Sequence, residues 1–314
     1  MAQDETVLTQ EQAAEAFEHL STLGDFLRWG QSTLRAGQVF LGHGTDNEHD
    51  EALALLLHAL HLPWEVKPEL LQTRLLPSEK QRFIALLQRR VNEKIPTPYL
   101  TQEAWFCGLP FYVDERVIVP RSPLAEVVQA QFQPWLRDPE APLRVLDLCT
   151  GSGCIAIATA YALPNALVDA IDISTDALAV CEHNVALHHM EERVFPLLGD
   201  GLSVAQGPYD VIISNPPYVD AQEMANLPQE YTHEPELALA SGEDGLDFTR
   251  KLLAQAAEHL SEGGFLVVEV GYSWPAVEKQ WPQVPFLWLE FERGGEGAFM
   301  LTRQQLLEYA HLFT

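Results

Sequence analysis

Positive charge is scarce in this sequence. Its 314 residues include 19 lysines and arginines against 45 aspartates and glutamates, which gives a formal net charge of −26. Nucleic-acid phosphates would be repelled by such a chain, so a sequence-independent nucleic-acid clamp is excluded. The charge is compatible with a basic protein partner and also with simple solubility.

Cysteine is also rare, and its spacing does not suggest a metal site. Cys107, Cys149, Cys154 and Cys181 form no CxxC pair, so we expect reduced thiols, a cytoplasmic protein and no bound metal. No apolar run is long enough to span a membrane, and the acidic stretch Met1–Glu5 is unlike a signal peptide. The sequence contains no internal repeat and no low-complexity tract.

The first part of the chain is predicted to be helical. Glu51–His58 indicates a buried helix, and Pro77–Lys80 begins an amphipathic one. We therefore expect a helical domain over residues 1–94, ended by the prolines of Ile95–Pro98. Aromatic and β-branched runs on either side of Asp114-Glu115 predict a linking hairpin within residues 95–123.

Strands and helices alternate over residues 124–314. Strands are predicted over 143–148, 167–172, 194–198, 209–214 and 264–269, and helices over 154–162, 175–188 and 246–260. This alternation is typical of a doubly wound, mainly parallel α/β sheet. The glycines within 294–297 lie between two strand-like runs, so we expect a final hairpin with an antiparallel strand.

A glycine-rich turn follows the first predicted strand. Gly151 and Gly153 let a ligand approach the backbone closely, and the helix that follows offers free N–H groups. Asp172 ends the next strand, where a carboxylate can accept both hydroxyls of an adenosine ribose. The spacing to Ala156 also fits a dinucleotide fingerprint, so a dehydrogenase remains an alternative on this motif alone.

The third predicted strand is followed by a second polar turn. Asp200 lies between Gly199 and Gly201, and its carboxylate can accept a hydrogen bond from an adenine amino group. The adjacent backbone and Leu202 can flank the adenine ring. Gly-Asp-Gly is also good turn chemistry, so a simple turn is the competing interpretation.

The tetrapeptide Asn215–Tyr218 follows the fourth strand, at the edge where open α/β sheets bind ligands. A planar NH₂ group is a poor nucleophile because its lone pair is delocalised. The Asn215 side-chain oxygen and the Pro216 carbonyl can each accept one of its N–H groups. Pro216 and Pro217 keep these acceptors fixed, and Tyr218 offers a flat face. The chemistry suits methyl transfer to a carboxamide or to an exocyclic adenine amine.

In these motifs the chain resembles the N5-glutamine protein methyltransferases, which use S-adenosylmethionine. The shared segments are Asn215–Tyr218, the Gly151–Gly153 loop, 233–239 and 241–246. Segments within 99–123 resemble the branch of the family that acts on ribosomal protein L-three. The resemblance implies a class I Rossmann-like sheet of seven strands with an antiparallel last hairpin, and an N-terminal helical domain that docks the protein substrate.

The resemblance also implies residue roles. The glycine loop would hold the methionine part of the cofactor, Asp172 the ribose and Asp200 the adenine, and Asn215–Tyr218 would grip the substrate glutamine amide. Cys149 stands where relatives often have a glycine, and its small side chain leads us to expect that the loop keeps its shape. The predicted cofactor-binding residues are Asp147, Cys149, Thr150, Gly151, Ser152, Gly153, Asp172, Asp200, Gly201 and Asn215. The predicted catalytic residues are Asn215, Pro216, Pro217 and Tyr218.

The implied reaction is methyl transfer from S-adenosylmethionine to a glutamine side-chain nitrogen of L-three, free or in an assembling large subunit. Release factors are an alternative substrate. Adenine-N6 methylation of nucleic acid is another alternative, which the acidic charge disfavours. A catalytically idle ribosome-assembly module is a third. The long connection 219–245 is typical of a lid or binding loop, and Arg121 is expected to form a structural ion pair.

Overall fold

A computed structural model describes residues 7–313, so the stretch Met1–Glu5, which we interpreted above, lies outside the described residues. The chain divides into two compact units. One runs up to Glu103 and also includes Pro228–His233; the other comprises Ala104–Leu227 and the chain from Glu234 onward. The sequence, by contrast, placed boundaries at 94 and 123 and did not assign 228–233 to the helical part. No helix in the described part of the chain is long and apolar enough to cross a membrane.

The first unit is built from helices, as its periodicity predicts. Their bounds are α1 Gln10–His19, α2 Leu23–Ala36, α3 Glu48–Leu60, α4 Pro77–Asn92 and α5 Thr97–Thr101, with a 3-10 turn at Pro68–Gln72. Thr9 and Thr22 cap α1 and α2 through their side chains, which satisfies backbone N–H groups that have no partner within the helix. Phe26, Leu56 and Phe83 are fully buried in the core of this unit.

The predicted linking hairpin exists, but the sequence placed its turn at the wrong residues. The strands are β1 Ala104–Phe106 and β2 Leu109–Phe111, and they pair antiparallel. The chain reverses at Cys107-Gly108, where both φ values are positive, as a tight hairpin turn requires. Asp114-Glu115 belongs to a separate turn, closed by the Val117 N–H donating to the Asp114 carbonyl at 3.1 Å, in which Asp114 also binds the Arg116 side chain. Arg116–Pro120 is not a strand.

The second unit contains the seven-stranded sheet that the sequence predicts. Its strands are β3 Arg144–Leu148, β4 Leu167–Asp172, β5 Val194–Leu198, β6 Tyr209–Ser214, β7 Leu260–Glu269, β8 Leu287–Trp288 and β9 Ala298–Thr302. They lie in the order β5-β4-β3-β6-β7-β9-β8. The first five are parallel, whereas β9 pairs antiparallel with both β7 and β8. The expected antiparallel final hairpin is therefore confirmed.

Helices cover both faces of this sheet. Alternate residues of β3 point to opposite cores: Val145 packs in one core, and Leu146 in the other. The remaining helices are α6 Leu124–Gln129, α7 Cys154–Ala162, α8 Thr175–Leu187, α9 Ala221–Met224, α10 Asp247–His259, α11 Trp274–Gln280 and α12 Arg303–Glu308. α6, α7 and α8 contribute to the first core, and α10, α11 and α12 to the second. Because both faces are buried, the parallel strands are nearly continuous apolar runs.

Candidate functional site

The loop between β3 and α7 depends on residues with positive φ. Gly151 has a φ of +54° and Gly153 of +79°. A Cβ atom at Gly153 would lie 2.6 Å from the Cys181 sulfur, whereas one at Gly151 would meet nothing within 4 Å. Gly153 is therefore required for close packing, and Gly151 leaves space open in front of the loop.

Cys149 adopts the left-handed conformation that a glycine would suit, with a φ of +63°. Burial raises the pKa of the Cys149 thiol well above its ordinary value, so the side chain is a neutral, unreactive group in the wall of the site. A left-handed φ costs a non-glycine residue about 1–2 kcal/mol.

Two carboxylates, those of Asp172 and Asp147, accept hydrogen bonds from the glycine loop. Asp172 accepts hydrogen bonds from the Gly151 N–H and the Ser174 N–H, each at 2.9 Å. Asp147 accepts from the Thr150 hydroxyl at 2.6 Å and the Ala156 N–H at 3.0 Å. Burial raises the pKa of Asp172, and it raises that of Asp147 to about 7. Through its two bonds, Asp147 connects the glycine loop to the first turn of α7.

Asn184 on α8 is a third support of this loop, and sequence reasoning missed it. Its side-chain NH₂ donates to the carbonyl oxygens of Ser152 at 2.8 Å and Tyr112 at 3.0 Å. Its side-chain oxygen accepts from the Tyr112 N–H at 2.8 Å. The residue is fully buried, so these bonds fix both the loop and the segment after β2. An asparagine within an apolar helix is the only sequence signal for this role.

A cavity of about 270 Å³ opens in front of the loop, at the carboxyl ends of β3, β4 and β6. Seven of the predicted site residues line it: Cys149, Gly151, Asp172, Asp200, Gly201, Asn215 and Pro217. The other six do not line it: Asp147, Thr150, Ser152, Gly153, Pro216 and Tyr218. The sequence therefore located the cavity, but some of the predicted residues support its wall and do not face it.

Several cavity residues were not predicted. Ile173 and Leu237 line the cavity and are largely exposed, at 52% and 60%. Arg116 and Lys251 add positive charge to the same wall. Ile173 could have been found from the sequence, because an apolar side chain directly after Asp172 at a strand end has no core to enter. Leu237 lies in the 219–245 connection, where no hydrophobic periodicity indicates which way a side chain points.

The tetrapeptide lies directly after β6. Asn215 and Pro217 face the cavity, and the Tyr218 hydroxyl donates to Glu269 at 3.0 Å. Two residues of the tetrapeptide therefore line the same cavity as Cys149 and Gly151 of the glycine loop. Among the described residues, no group of three or more His, Cys, Asp or Glu side chains is arranged to hold a metal ion.

Arg121 forms the structural ion pair that we expected. Its guanidinium binds Glu234 at 2.5 and 2.8 Å, and Glu234 also accepts from the Val119 N–H at 2.9 Å. The Glu234 side chain is fully buried. These contacts account for the glutamate of His233-Glu234-Pro235, which anchors the middle of the 219–245 connection to the segment Val119–Arg121.

Curated proteins match this chain over almost its whole length. The ribosomal protein uL3 glutamine methyltransferase of Neisseria gonorrhoeae is 47% identical over 293 residues, which cover 93% of this chain and 98% of that protein. The protein of the same name from Neisseria meningitidis serogroup B is also 47% identical, with 93% and 97% covered. This chain belongs to the same glutamine methyltransferase family.

Two further comparisons match parts of the chain. The family model of the methyltransferase small domain matches residues 135–274. Among solved structures, a methyltransferase from Pyrococcus furiosus matches 62% of this chain and 89% of its own, with 18% identity and a TM-score of 0.45. The assignment of this chain as a methyltransferase rests on the two relatives that are 47% identical to it.

The cavity combines open backbone, oxygen acceptors and apolar surfaces, which fits a nucleoside-containing cofactor. Gly151 and Gly201 both line it with positive φ, and a Cβ atom on either residue would meet nothing within 4 Å. Side chains at these positions would occupy the space that the glycines leave open. Asp172 and Asp200 supply acceptors, and Ile173 and Leu237 supply apolar surfaces for a flat ring.

Proposed function

We propose that this chain transfers a methyl group from S-adenosylmethionine to the side-chain amide nitrogen, N5, of a glutamine in ribosomal protein uL3, the L-three protein. The similarity to two proteins named for that activity, over 98% and 97% of their lengths, carries the substrate assignment. The tetrapeptide and the glycine loop in one cavity support the chemistry. We further propose that the reaction takes place in the cytoplasm, on free uL3 or on an assembling large subunit.

The cofactor-binding part of the proposal assigns roles to residues of the cavity wall. S-adenosylmethionine supplies an electrophilic methyl group on a sulfonium when it is bound. Gly151 would allow its methionine part to approach the backbone, and Asp172 would accept from the ribose hydroxyls. Asp200 would accept from the adenine amino group, and Ile173 would flank the ring. Since Asp172 already orders the loop through the Gly151 N–H, its carboxylate joins loop and ribose.

The substrate part of the proposal rests on Asn215 and Pro216. The Asn215 side-chain oxygen and the Pro216 carbonyl would accept the two N–H groups of the glutamine amide. With both hydrogens held, the nitrogen lone pair is directed at the methyl group, so the rate comes from orientation and charge stabilisation. Tyr218 would bound the substrate on one side. A strong base is unnecessary at the start because a neutral thioether leaves, and the methylated nitrogen then releases one of its two protons to water to give the neutral N-methyl amide.

The test is methyl transfer from labelled S-adenosylmethionine to purified uL3, followed by mass spectrometry of the modified residue. We expect one label on a glutamine side chain. Label on release factors but not on uL3 would assign the chain to the other branch of the family. Label on adenine of duplex or single-stranded nucleic acid would replace glutamine as the target. Calorimetry that shows no cofactor binding would favour an idle assembly module.

Asn215→Ala tests the catalytic role. We expect transfer to fall below detection while the affinity for S-adenosylmethionine stays within a few-fold of the wild-type value. Asn226→Ala is the matched control, because Asn226 is an exposed asparagine of the 219–245 connection whose side chain donates to the nearby Gln222 carbonyl. Full activity of Asn215→Ala would refute the assigned role.

A further inference from the structure

Glu269 is a buried acid whose described hydrogen bonds come from two hydroxyl groups, and the positive charge of Arg121 favours its ionised form. It is the last residue of β7, and only 4% of it is exposed. The Tyr218 hydroxyl donates to one of its carboxylate oxygens at 3.0 Å, and the Ser122 hydroxyl donates to the other. Burying a carboxylate is costly unless it is paired and hydrogen-bonded, and here each oxygen accepts a hydrogen bond from a hydroxyl group.

The loop after β7 is shaped to the ring of Tyr218. Gly271 has a φ of +46°, and a Cβ atom there would lie 2.5 Å from the Tyr218 ring. The Ser273 hydroxyl donates to the Tyr218 carbonyl at 2.7 Å. Tyr218 is therefore held at its hydroxyl by the last residue of β7, and at its ring and backbone by the loop that follows.

The glycine-rich hairpin supports this loop from behind. The Gly271 N–H donates to the Gly297 carbonyl at 3.0 Å, and a Cβ atom at Gly297 would lie 1.9 Å from the Gly271 oxygen. Gly297 has a φ of +75°. The glycines that we interpreted only as a turn thus allow β9 to begin against the loop that holds Tyr218.

Ser122 connects Glu269 to a second fixed segment. The Ser122 oxygen accepts from the Leu124 N–H at 3.2 Å, so its hydroxyl hydrogen is directed to Glu269. The neighbouring Arg121 is held by Glu234. One carboxylate oxygen of Glu269 therefore binds Tyr218 of the tetrapeptide, and the other binds Ser122, whose neighbour Arg121 is held by Glu234.

We propose that Glu269 is a positioning residue, which holds Tyr218 through its hydroxyl and so fixes the geometry of Asn215–Tyr218 during methyl transfer. It acts through Tyr218 and lies outside the cavity wall. The proposal rests on the proposed function for the reaction it assists. Displacing catalytic groups by about 1 Å can cost roughly 100-fold in rate, which sets the size of the effect.

The test compares Glu269→Leu, Glu269→Gln and Tyr218→Phe, alone and combined. We expect kcat to fall by a similar factor, up to about 100-fold, in Glu269→Leu and in Tyr218→Phe, because each removes the same hydrogen bond, with the affinity for S-adenosylmethionine unchanged. Glu269→Gln keeps one acceptor oxygen and should retain an intermediate kcat. In the Tyr218→Phe background, Glu269→Leu should cost little more, since both changes remove one interaction. Glu262→Gln, exposed on the same strand, is the control.

A second readout separates this proposal from the proposed function. Ring-flip rates of ¹³C-labelled Tyr218, measured by NMR on the enzyme without substrate, should rise in Glu269→Gln. Unchanged flip rates, wild-type kcat in the glutamate variants, or additive effects in the double variant would overturn the positioning role. A loss of kcat that merely follows a loss of cofactor affinity or thermal stability would also overturn it. An inactive wild type would refute the proposed function, and the flip rates would still decide the role of Glu269.

Discussion

At the scale of single residues, the glycines of the loop after β3 are used for different purposes, and this predicts different phenotypes. In Gly151→Ala the new methyl group would face the open cavity, so we expect about 1 kcal/mol of destabilisation from its left-handed φ and at least tenfold weaker binding of S-adenosylmethionine. In Gly153→Ala it would meet the Cys181 sulfur at 2.6 Å, so we expect about 2–3 kcal/mol of destabilisation. Urea unfolding and calorimetric titration measure the two effects.

The controls for these variants are available in the same unit. Gly263→Ala adds a methyl group that meets nothing within 4 Å at a residue without positive φ, and it should change neither quantity. Cys181→Ala in the Gly153→Ala background should restore part of the stability, because the clashing sulfur is gone. Wild-type cofactor affinity in Gly151→Ala would contradict the assignment of the cavity.

Asp147 makes the stability of the fold depend on pH in an unusual direction. Burial raises the pKa of its carboxyl from 3.8 to about 7, so the folded chain binds this proton more tightly than the unfolded chain. Its contribution to stability is fully present below 3.8 and is lost as the pH rises through about 7. Relative to Asp147→Asn, the wild type should therefore lose up to about 1.4 kcal/mol per pH unit across this window.

The measurement is urea unfolding of both proteins at several pH values between 4 and 7, approximately the window given by that pKa shift. Since the other carboxyl groups are common to both, their contributions cancel in the difference. A difference that does not change with pH would show that Asp147 is ionised throughout the window.

At the scale of elements, the parallel strands were the most predictable features. β3, β4 and β6 are buried on both faces, so their apolar runs identify them almost to the residue. Short elements were not predictable: α5, α6, α11 and α12 are too short for a helical period to show. The turn at Cys107-Gly108 was missed because we assigned the reversal to the more polar Asp114-Glu115.

The helices of the first unit are joined by a buried charge network that predicts their sensitivity to substitution. Arg90 on α4 binds Glu51 on α3 at 2.6 Å and Glu230 at 3.0 Å, and its side chain is only 1% exposed. Arg90→Met would leave two buried carboxylates without their cation. We expect about 3–5 kcal/mol of destabilisation in chemical unfolding of this unit.

Arg35→Met is the matched control for this network. Arg35 on α2 also pairs with a glutamate of α3, Glu48, but its side chain is 72% exposed. Solvent screens an exposed pair, so we expect no measurable change in stability. Equal effects of the two substitutions would contradict the distinction between buried and exposed pairs.

At the scale of the whole molecule, the net charge of −26 predicts the salt dependence of the proposed reaction. If the substrate is a basic ribosomal protein, long-range attraction speeds its encounter with this chain. Raising the ionic strength from about 0.02 to about 0.3 M shortens the screening length and should lower kcat/KM roughly tenfold, with kcat little changed. An unchanged kcat/KM would exclude electrostatic steering.

Long-range contacts set the limit of sequence reasoning at this scale. The 219–245 connection could be identified as a loop from its polarity and length. That Pro228–His233 belongs with the helices could not, because it depends on Glu230 meeting Arg90 across 140 positions of the chain. No local periodicity encodes such a pair.

Because Pro228–His233 belongs to the helical unit although it lies far along the chain, the two units are difficult to separate by engineering. A protein cut ahead of Ala104 would keep Glu230, yet lose the Arg90 guanidinium and the Phe40 N–H that this carboxylate binds. Exchanging the helical part with that of a relative would require a graft of Pro228–His233 as well. The N-terminal helices therefore cannot be removed or exchanged as one continuous segment. Chimeras joined at a single point near Ala104 should lose part of the buried ion network around Glu230.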